Sequence, residues 1–305
     1  MNIPDKADAD VRVGRRAVHL TNLTKSFWPG IAKRDLLQYY SDVADALIPH
    51  VKDRPMVMKR YPNGYRGEFF FMKRAPAERP EWIRICSVKH GSGSSIDFPI
   101  VRDLPSLLWM INLGCIDLNP WYSQCDDIYR PDFLHFDLDP VTPATFKHVL
   151  ETALVIRELL EDVEVRSFAK TTGSRGIHIY VPIVRRATSK EVWQTAKSTA
   201  LRLERAHPKL VTAVYRVADR PKGRVLVDYN QNALGRTLAS VYSVRPKPRA
   251  TVSAPVTWRE VERGIRIEDF RIDNMPQRIR QIGDLWGPLL IRSNRVRLER
   301  LSRAR

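Results

Sequence analysis

The sequence predicts an α+β fold, and three observations carry that expectation. The segments PDFLHFDLDP, GIHIYVPI and GRVLVDYNQ alternate apolar and polar residues with the two-residue period of a strand. Other segments repeat apolar residues at helical spacing. Strands and long helices mix along the chain in irregular order. The 305 residues make one large domain or two modest ones, enough for a substantial core.

Taken in order, residues 1–16 are polar and predict a flexible N-terminal arm. Residues 33–48 place Leu36, Tyr39, Tyr40, Val43, Ala46 and Leu47 on one stripe and predict a helix. Thr142 and Pro143 supply a capping hydroxyl and a first-turn proline for a second helix, with Phe146, Val149, Leu150, Ala153, Leu154 and Leu160 along one side. Thr188 with Glu191 makes a capping box that opens a third helix to about Ala206, and Thr257 with Glu260 repeats the pattern. No linker interrupts residues 17–290, which are expected to form the body of the fold. Residues 291–305 form a basic tail.

Composition narrows the function. Lys and Arg number 51 against 34 Asp and Glu, a formal charge of +17 that calls for a polyanionic partner. No apolar run approaches the ~20 residues needed to cross a bilayer, and Asn112 and Asp117 interrupt the longest one. The N-terminus lacks the apolar stretch of a secretory signal, so a cytoplasmic protein is expected. Cys86, Cys115 and Cys125 are odd in number and form no CxxC pair, which argues against disulfides and for a reducing compartment.

Three groups of residues carry chemistry. Asp137 and Asp139, two apart on a strand, share one face opposite Leu134, Phe136 and Leu138. Asp228 emerges from a separate apolar strand. Three such carboxylates can clamp two divalent metals for phosphoryl or nucleotidyl transfer, and their hard oxygens suit magnesium or manganese. The loop Thr171, Thr172, Gly173, Ser174, Arg175, Gly176 offers amides, hydroxyls and a guanidinium to a triphosphate, without the spacing of a P-loop. The segment VMKRYPNGYRGEFFFMKRAP interleaves cations with aromatic rings, as binding of unstacked bases requires.

In order and spacing, HFDLDP, TTGSRGIH, VDYNQN and YSVRPKP resemble the polymerase domain of bacterial DNA ligase D, of the archaeo-eukaryotic primase superfamily. LTNLTKSFWPG, AKRDLLQYY, KRYPNG, FFFMK, NLGCIDLNPW and GDLW extend the resemblance over residues 17–290. The resemblance implies a primase-polymerase fold, with an RRM-like mixed sheet carrying the active site and a second, smaller α/β module. It implies template-directed addition of ribo- or deoxyribonucleotides at DNA gaps and break ends in non-homologous end joining. Asp137, Asp139 and Asp228 would hold two Mn2+ or Mg2+ ions. Asn119, Thr172, Ser174, Arg175, His178 and Arg245 would hold the incoming nucleoside triphosphate. Phe70 and Phe71 would stack near the templating base, and Lys25 and Lys33 would grip a DNA 5′-phosphate. Expected partners are gapped or broken DNA, Ku and a separate ligase, with nucleoid association and no membrane.

This chain departs from the family in two places: its loop reads TGSRG where SGSKG or SGGKG is usual, and Asn119 stands where many members have histidine. A non-catalytic end-binding module of the same fold is the alternative. The presence of all three aspartates favours the enzyme.

Overall fold

The computed structural model describes residues 1–89 and 93–302. The chain forms two compact units, each built from interleaved stretches. The first takes Met1–Asp126, Thr237–Ser253 and Phe270–Gly283; the second takes Asp127–Arg236, Ala254–Asp269 and Asp284–Arg305. No helix among the described residues is long and apolar enough to cross a membrane.

A six-stranded mixed sheet organises the second unit. Its order is Val211–Thr212, Val225–Asp228, Phe133–Pro140, Ile177–Pro182, Phe168–Thr171, Pro255–Val256. All neighbours are antiparallel except the first pair, which is parallel. The three strands expected from alternation lie side by side within it. Leu134, Phe136, Leu138, Ile177, Ile179, Val181, Val225 and Val227 are fully buried. The helices Phe146–Glu161 and Ser189–Ala206 pack against this sheet. They bury Val149, Ala153, Ile156, Leu160, Val192, Ala196 and Ala200. Each large aliphatic side chain so removed from water contributes roughly 1.5–3 kcal/mol before conformational entropy is set against it.

Local signals place the helix starts with one correction. Ser189–Ala206 begins at the expected capping box: the Thr188 hydroxyl accepts the Glu191 N–H, and the Glu191 carboxylate accepts the Thr188 N–H at 2.7 Å. Thr257 and Glu260 cap Trp258–Arg263 in the same way. The helix expected from Thr142 starts instead at Phe146, with Thr145 as its cap. The backbone at Val141 is still engaged with the neighbouring strand, accepting from Gly223 N at 3.1 Å and donating to Arg224 O at 2.8 Å. The chain therefore cannot turn helical before the sheet releases it.

The first unit holds a three-stranded antiparallel sheet, ordered Phe70–Met72, Met56–Arg60, Cys115–Pro120. Three two-stranded pairs accompany it: Ala9–Val13 with Arg16–Leu20, Ser26–Trp28 with Ile31–Ala32, and Ile85–Lys89 with Ser95–Pro99. The helix expected over 33–48 is two helices, Lys33–Asp42 and Ala44–Val51, separated at Val43. The segment expected as a polar arm carries the strand Ala9–Val13, because Val11 has Val18 as its buried partner. The basic tail is also engaged: Val296 donates to Pro182 O at 3.0 Å, and Leu301 is buried. Residues 303–305 of that tail lie outside the described residues.

The cysteine reading is overturned. Cys86 and Cys125 form a disulfide within the first unit, with Cα atoms 5.8 Å apart, and Cys115 is the buried thiol left over. The fold brings together residues 39 positions apart, a juxtaposition that counting and local spacing cannot register.

Gly176 marks a close approach of two backbones. A Cβ there would collide with the carbonyl oxygen of Leu138 on the Asp137 strand. Gly176→Ala is therefore expected to lower the melting temperature, at a cost on the order of 2 kcal/mol, because backbone and not a pliable side chain must move. Thermal unfolding followed by circular dichroism checks this; an unchanged Tm would show that the sheet yields freely at this point.

Candidate active site

Antiparallel register builds the site on the second unit. Lys170 pairs with His178, His178 with Asp137, and Asp137 with Asp228, so four polar residues form one row across four strands. Directly paired residues on antiparallel strands share a face. Asp139, two residues beyond Asp137, lies on that face as the alternation predicts. His178 Nε2 stands 3.2 Å from Asp137 Oδ1, and Lys170 Nζ stands 2.7 Å from His178 Nδ1. Lys170, His178, Asp137 and Asp228 are all buried.

Burying like charges together shifts their protonation. Burial first, and then the Asp137 carboxylate, push Asp139 up to about 6; Arg175, whose Nε donates to Asp139 Oδ1 at 3.4 Å, opposes that rise. Asp228 is raised by burial and by Asp137, although Asn230 N and the Gln231 side chain donate to it at 2.9 and 3.1 Å. His135, on the same face, is held well below the ordinary imidazole value by burial and by His178, and stacks on Tyr180 with ring centroids 5.2 Å apart. The carboxylates thus form a pocket of negative potential in which a cation relieves repulsion. Their hard oxygen donors suit a divalent ion such as Mg2+ or Mn2+. Among the described residues, no group of three or more His, Cys, Asp or Glu is arranged to hold a metal ion. The three aspartates fit such an ion through donor chemistry and a shared face, and they do not make a finished coordination shell.

The Thr172–Gly176 loop is organised around one hydroxyl. Thr172 Oγ1 accepts from the backbone N–H groups of Ser174, Arg175 and Gly176 at 3.1, 3.2 and 3.0 Å. Thr172 N donates to Gly176 O at 2.9 Å and closes the turn. The amides expected to face a phosphate are therefore turned onto Thr172. Arg175, mostly exposed, is the loop's outward charge.

Two residues of this unit escaped sequence reading. Asn232 is buried, and its side chain accepts from His135 N at 3.0 Å and donates to His135 O at 2.8 Å. It continues the ladder where the Asp228 strand ends, and so helps hold Asp228 opposite Asp137. Lys170 was passed over as the start of the loop. Its place on the sheet's polar face follows from its pairing with His178, which only the strand register shows.

The first unit carries the remaining candidates. Phe70 pairs with Arg60 and Phe71 with Lys59, so the two rings lie on opposite faces. Phe69, Phe70 and Phe71 are 50%, 46% and 58% exposed, which leaves all three rings open to a ligand. Lys59 Nζ sits 3.9 Å from the Phe69 ring centroid, and Phe69 meets Phe71 edge-on at 6.0 Å. The sequence reading chose Phe70 and Phe71; the structure groups Phe69 with Phe71.

Asn119 is buried and donates to Asp117 O at 3.0 Å. Arg245 Nε lies 3.3 Å from the buried carboxylate of Asp117, a partner that the sequence reading missed although it shares Asn119's strand face. Tyr39 and Tyr40 hold the chain before Arg245, their hydroxyls donating to Tyr242 O and Ile116 O at 2.7 Å, while Tyr40 also accepts from Val244 N at 3.0 Å.

Lys25 and Lys33 adjoin, with Lys33 N donating to Lys25 O at 2.8 Å. Their side chains differ. Lys25 donates to Asn63 Oδ1 at the surface at 2.8 Å. Lys33 is buried and donates to Thr21 O and Asn112 Oδ1 at 2.6 and 2.8 Å. Burial, and then the Lys25 charge, lower Lys33 to about 8.

Comparison with known proteins agrees with this architecture. The family described as LigD, primase-polymerase domain, matches residues 32–286. The multifunctional non-homologous end joining protein LigD of Mycolicibacterium smegmatis is 33% identical over 276 residues, 89% of this chain and 36% of that protein. The bifunctional non-homologous end joining protein LigD of Bacillus subtilis is 32% identical over 252 residues, 82% of this chain and 40% of that protein. The chain thus spans little more than a third of the length of these relatives. The solved polymerase domain of Mycobacterium tuberculosis ligase D, in complex with DNA, superposes with a TM-score of 0.84 at 32% identity, covering 90% of this chain and 98% of that one. Family match, identity and fold agree: the chain belongs to the LigD primase-polymerase domain family, a family of DNA-directed nucleotidyltransferases.

Proposed function

We propose that the protein adds ribo- or deoxyribonucleotides, under the direction of a template, at DNA gaps and double-strand-break ends during end-joining repair. The observation that carries this reading is the row of Asp137, Asp228 and His178, with Asp139 on the same face and the Arg175 loop beside it. Asp137, Asp139 and Asp228 would hold two divalent ions, which would supply charge neutralisation at the phosphates and activation of the attacking hydroxyl. The chain's own groups do the rest. Arg175 exchanges its bond to Asp139 for phosphate oxygens, to which its guanidinium is matched. Thr172 holds the loop, Ser174 contributes a hydroxyl, and His178 and Arg245 meet the triphosphate. Asn119 contacts the sugar. Phe70 and Phe71 stack against template bases, and Phe69 enlarges the aromatic surface. The +17 charge draws the chain to DNA. Ku and a separate ligase act with it at the break, in the cytoplasm at the nucleoid.

Extension of a labelled primer on gapped DNA tests the reaction. Asp137→Ala, Asp139→Ala and Asp228→Ala should each abolish extension while DNA binding persists or strengthens, because negative charge is removed beside a phosphate backbone. Extension by Asp137→Ala at the wild-type rate would sink the assignment. Binding without any extension by the wild-type chain would favour the end-binding module.

Sugar choice is set at Asn119 on this reading. Ribonucleotides should be preferred modestly, and Asn119→His should sharpen the preference in paired ATP and dATP assays. Equal discrimination in the two proteins would move recognition of the ribose elsewhere.

A terminal 5′-phosphate carries about two charges near neutral pH and suits Lys25 and Lys33 together. Gaps with a downstream 5′-phosphate should bind more tightly than matched 5′-hydroxyl gaps at fixed salt, and Lys25→Ala should shrink the contrast. Lys33 is fully charged only below its value of about 8, so the contrast should weaken as pH rises through that point. Affinities that ignore the phosphate at every pH would defeat the assignment.

A further inference from the structure

We propose that Lys170 is a positioning residue that fixes the tautomer of His178, so that the imidazole presents its N–H through Nε2 toward Asp137. Lys170 is fully buried, and its Nζ stands 2.7 Å from His178 Nδ1. An ammonium donates and cannot accept, so Nδ1 must supply a lone pair. The ring hydrogen then resides on Nε2, 3.2 Å from Asp137 Oδ1. The order is cation, neutral imidazole, anion, and the two end charges compensate each other across the ring. Cross-strand register holds all three in one line, Lys170 opposite His178 and His178 opposite Asp137.

A residue there only to fill space would be apolar, because burying an ammonium is costly. The surroundings are built to hold this one. The Trp286 ring centroid lies 5.8 Å from Nζ, at the outer reach of a cation–π contact. Trp286 is itself fixed by donation from Nε1 to Ala169 O at 3.1 Å, and the Tyr180 ring packs 4.8 Å from it. The consequence reaches Asp137: a donor fixed at Oδ1 orients that carboxylate on the polar face. The same N–H is what the site offers to any anion that displaces it. Outer-shell partners of this kind typically affect activity by about 10- to 100-fold. The kinetic consequence rests on the nucleotidyltransferase reading, whereas the tautomer does not.

The two are therefore measured separately. Long-range 1H–15N correlation spectra of the histidine-labelled wild-type protein, with His178 assigned by its loss in His178→Gln, report the ring state directly. A neutral ring protonated at Nε2 alone is expected. A ring protonated at Nδ1 alone, or at both nitrogens, overturns the proposal, and this result does not depend on any Lys170 variant. In Lys170→Met the Asp137 acceptor still favours Nε2–H, but the Nδ1–H tautomer, no longer opposed by an ammonium, should become detectable. Its kcat for primer extension should fall about 10- to 100-fold while affinity for gapped DNA is unchanged. Lys170→Arg keeps a donor and should restore much of the Nε2 tautomer. A folded Lys170→Met protein with an undisturbed Nε2 tautomer and wild-type kcat would show that the lysine only fills space. Absence of extension by the wild-type chain would count against the functional reading and leave the tautomer result to decide the role of Lys170.

Discussion

The antiparallel register of the Phe133–Pro140 strand against its two neighbours is the constraint on which the site depends. Side chains alternate with a strict period of two, so a slip of one residue would carry Asp137 and Asp139 into the apolar face and Phe136 and Leu138 out of it. Three features hold the register. The apolar face is fully buried against helices. Gly176 lets the neighbouring backbone approach Leu138 more closely than any side chain allows. Asn232 clamps both the N–H and the C=O of His135 after the Asp228 strand has ended. The carboxylates are thus brought together by hydrophobic burial and backbone hydrogen bonds acting elsewhere.

That convergence has an electrostatic cost. Asp139 and Asp228 are both raised, by burial before anything else and then by Asp137. In a chain of charge +17 the natural remedy would be neighbouring cations. The second unit supplies few at this point: Arg175 reaches Asp139, and Lys170 acts through an imidazole. The three carboxylates therefore keep much of their mutual repulsion. Basic surface and acidic pocket serve different ranges. Exposed lysines and arginines act on a polyanion over about a Debye length, and the buried aspartates act only at contact.

In the first unit the charged groups are individually controlled. Arg245 is met by a buried carboxylate on the Asn119 strand, and the segment before it is held by two phenols from the helix Lys33–Asp42. Lys33 is lodged among a carbonyl and an amide oxygen, where desolvation makes its charge easier to lose. Lys25, three residues past Asn22 in the same turn region, keeps its ammonium at the surface. Two lysines of equal formal charge therefore behave differently because one has been removed from water and the other has not.

Much of the second unit was legible in the chain. Period-two alternation placed Asp137, Asp139 and Leu138 on their faces, and the capping boxes at Thr188 and Thr257 placed two helix starts, because these rules act between residues near in sequence. The opening of the Phe146 helix was misread because a long-range contact, Val141 with Gly223 and Arg224, outweighed a plausible local cap. The Thr172 hydroxyl also accepts the amides of its own loop, a role that loop closure decides and the local sequence does not show. Tertiary structure alone decided the rest: the Cys86–Cys125 pair, the ladder extension at Asn232, the burial of Lys33, and the line from Lys170 through His178 to Asp137. Each joins residues whose meeting depends on strand order and register. Those are set by the burial of the whole apolar face, which no local pattern contains.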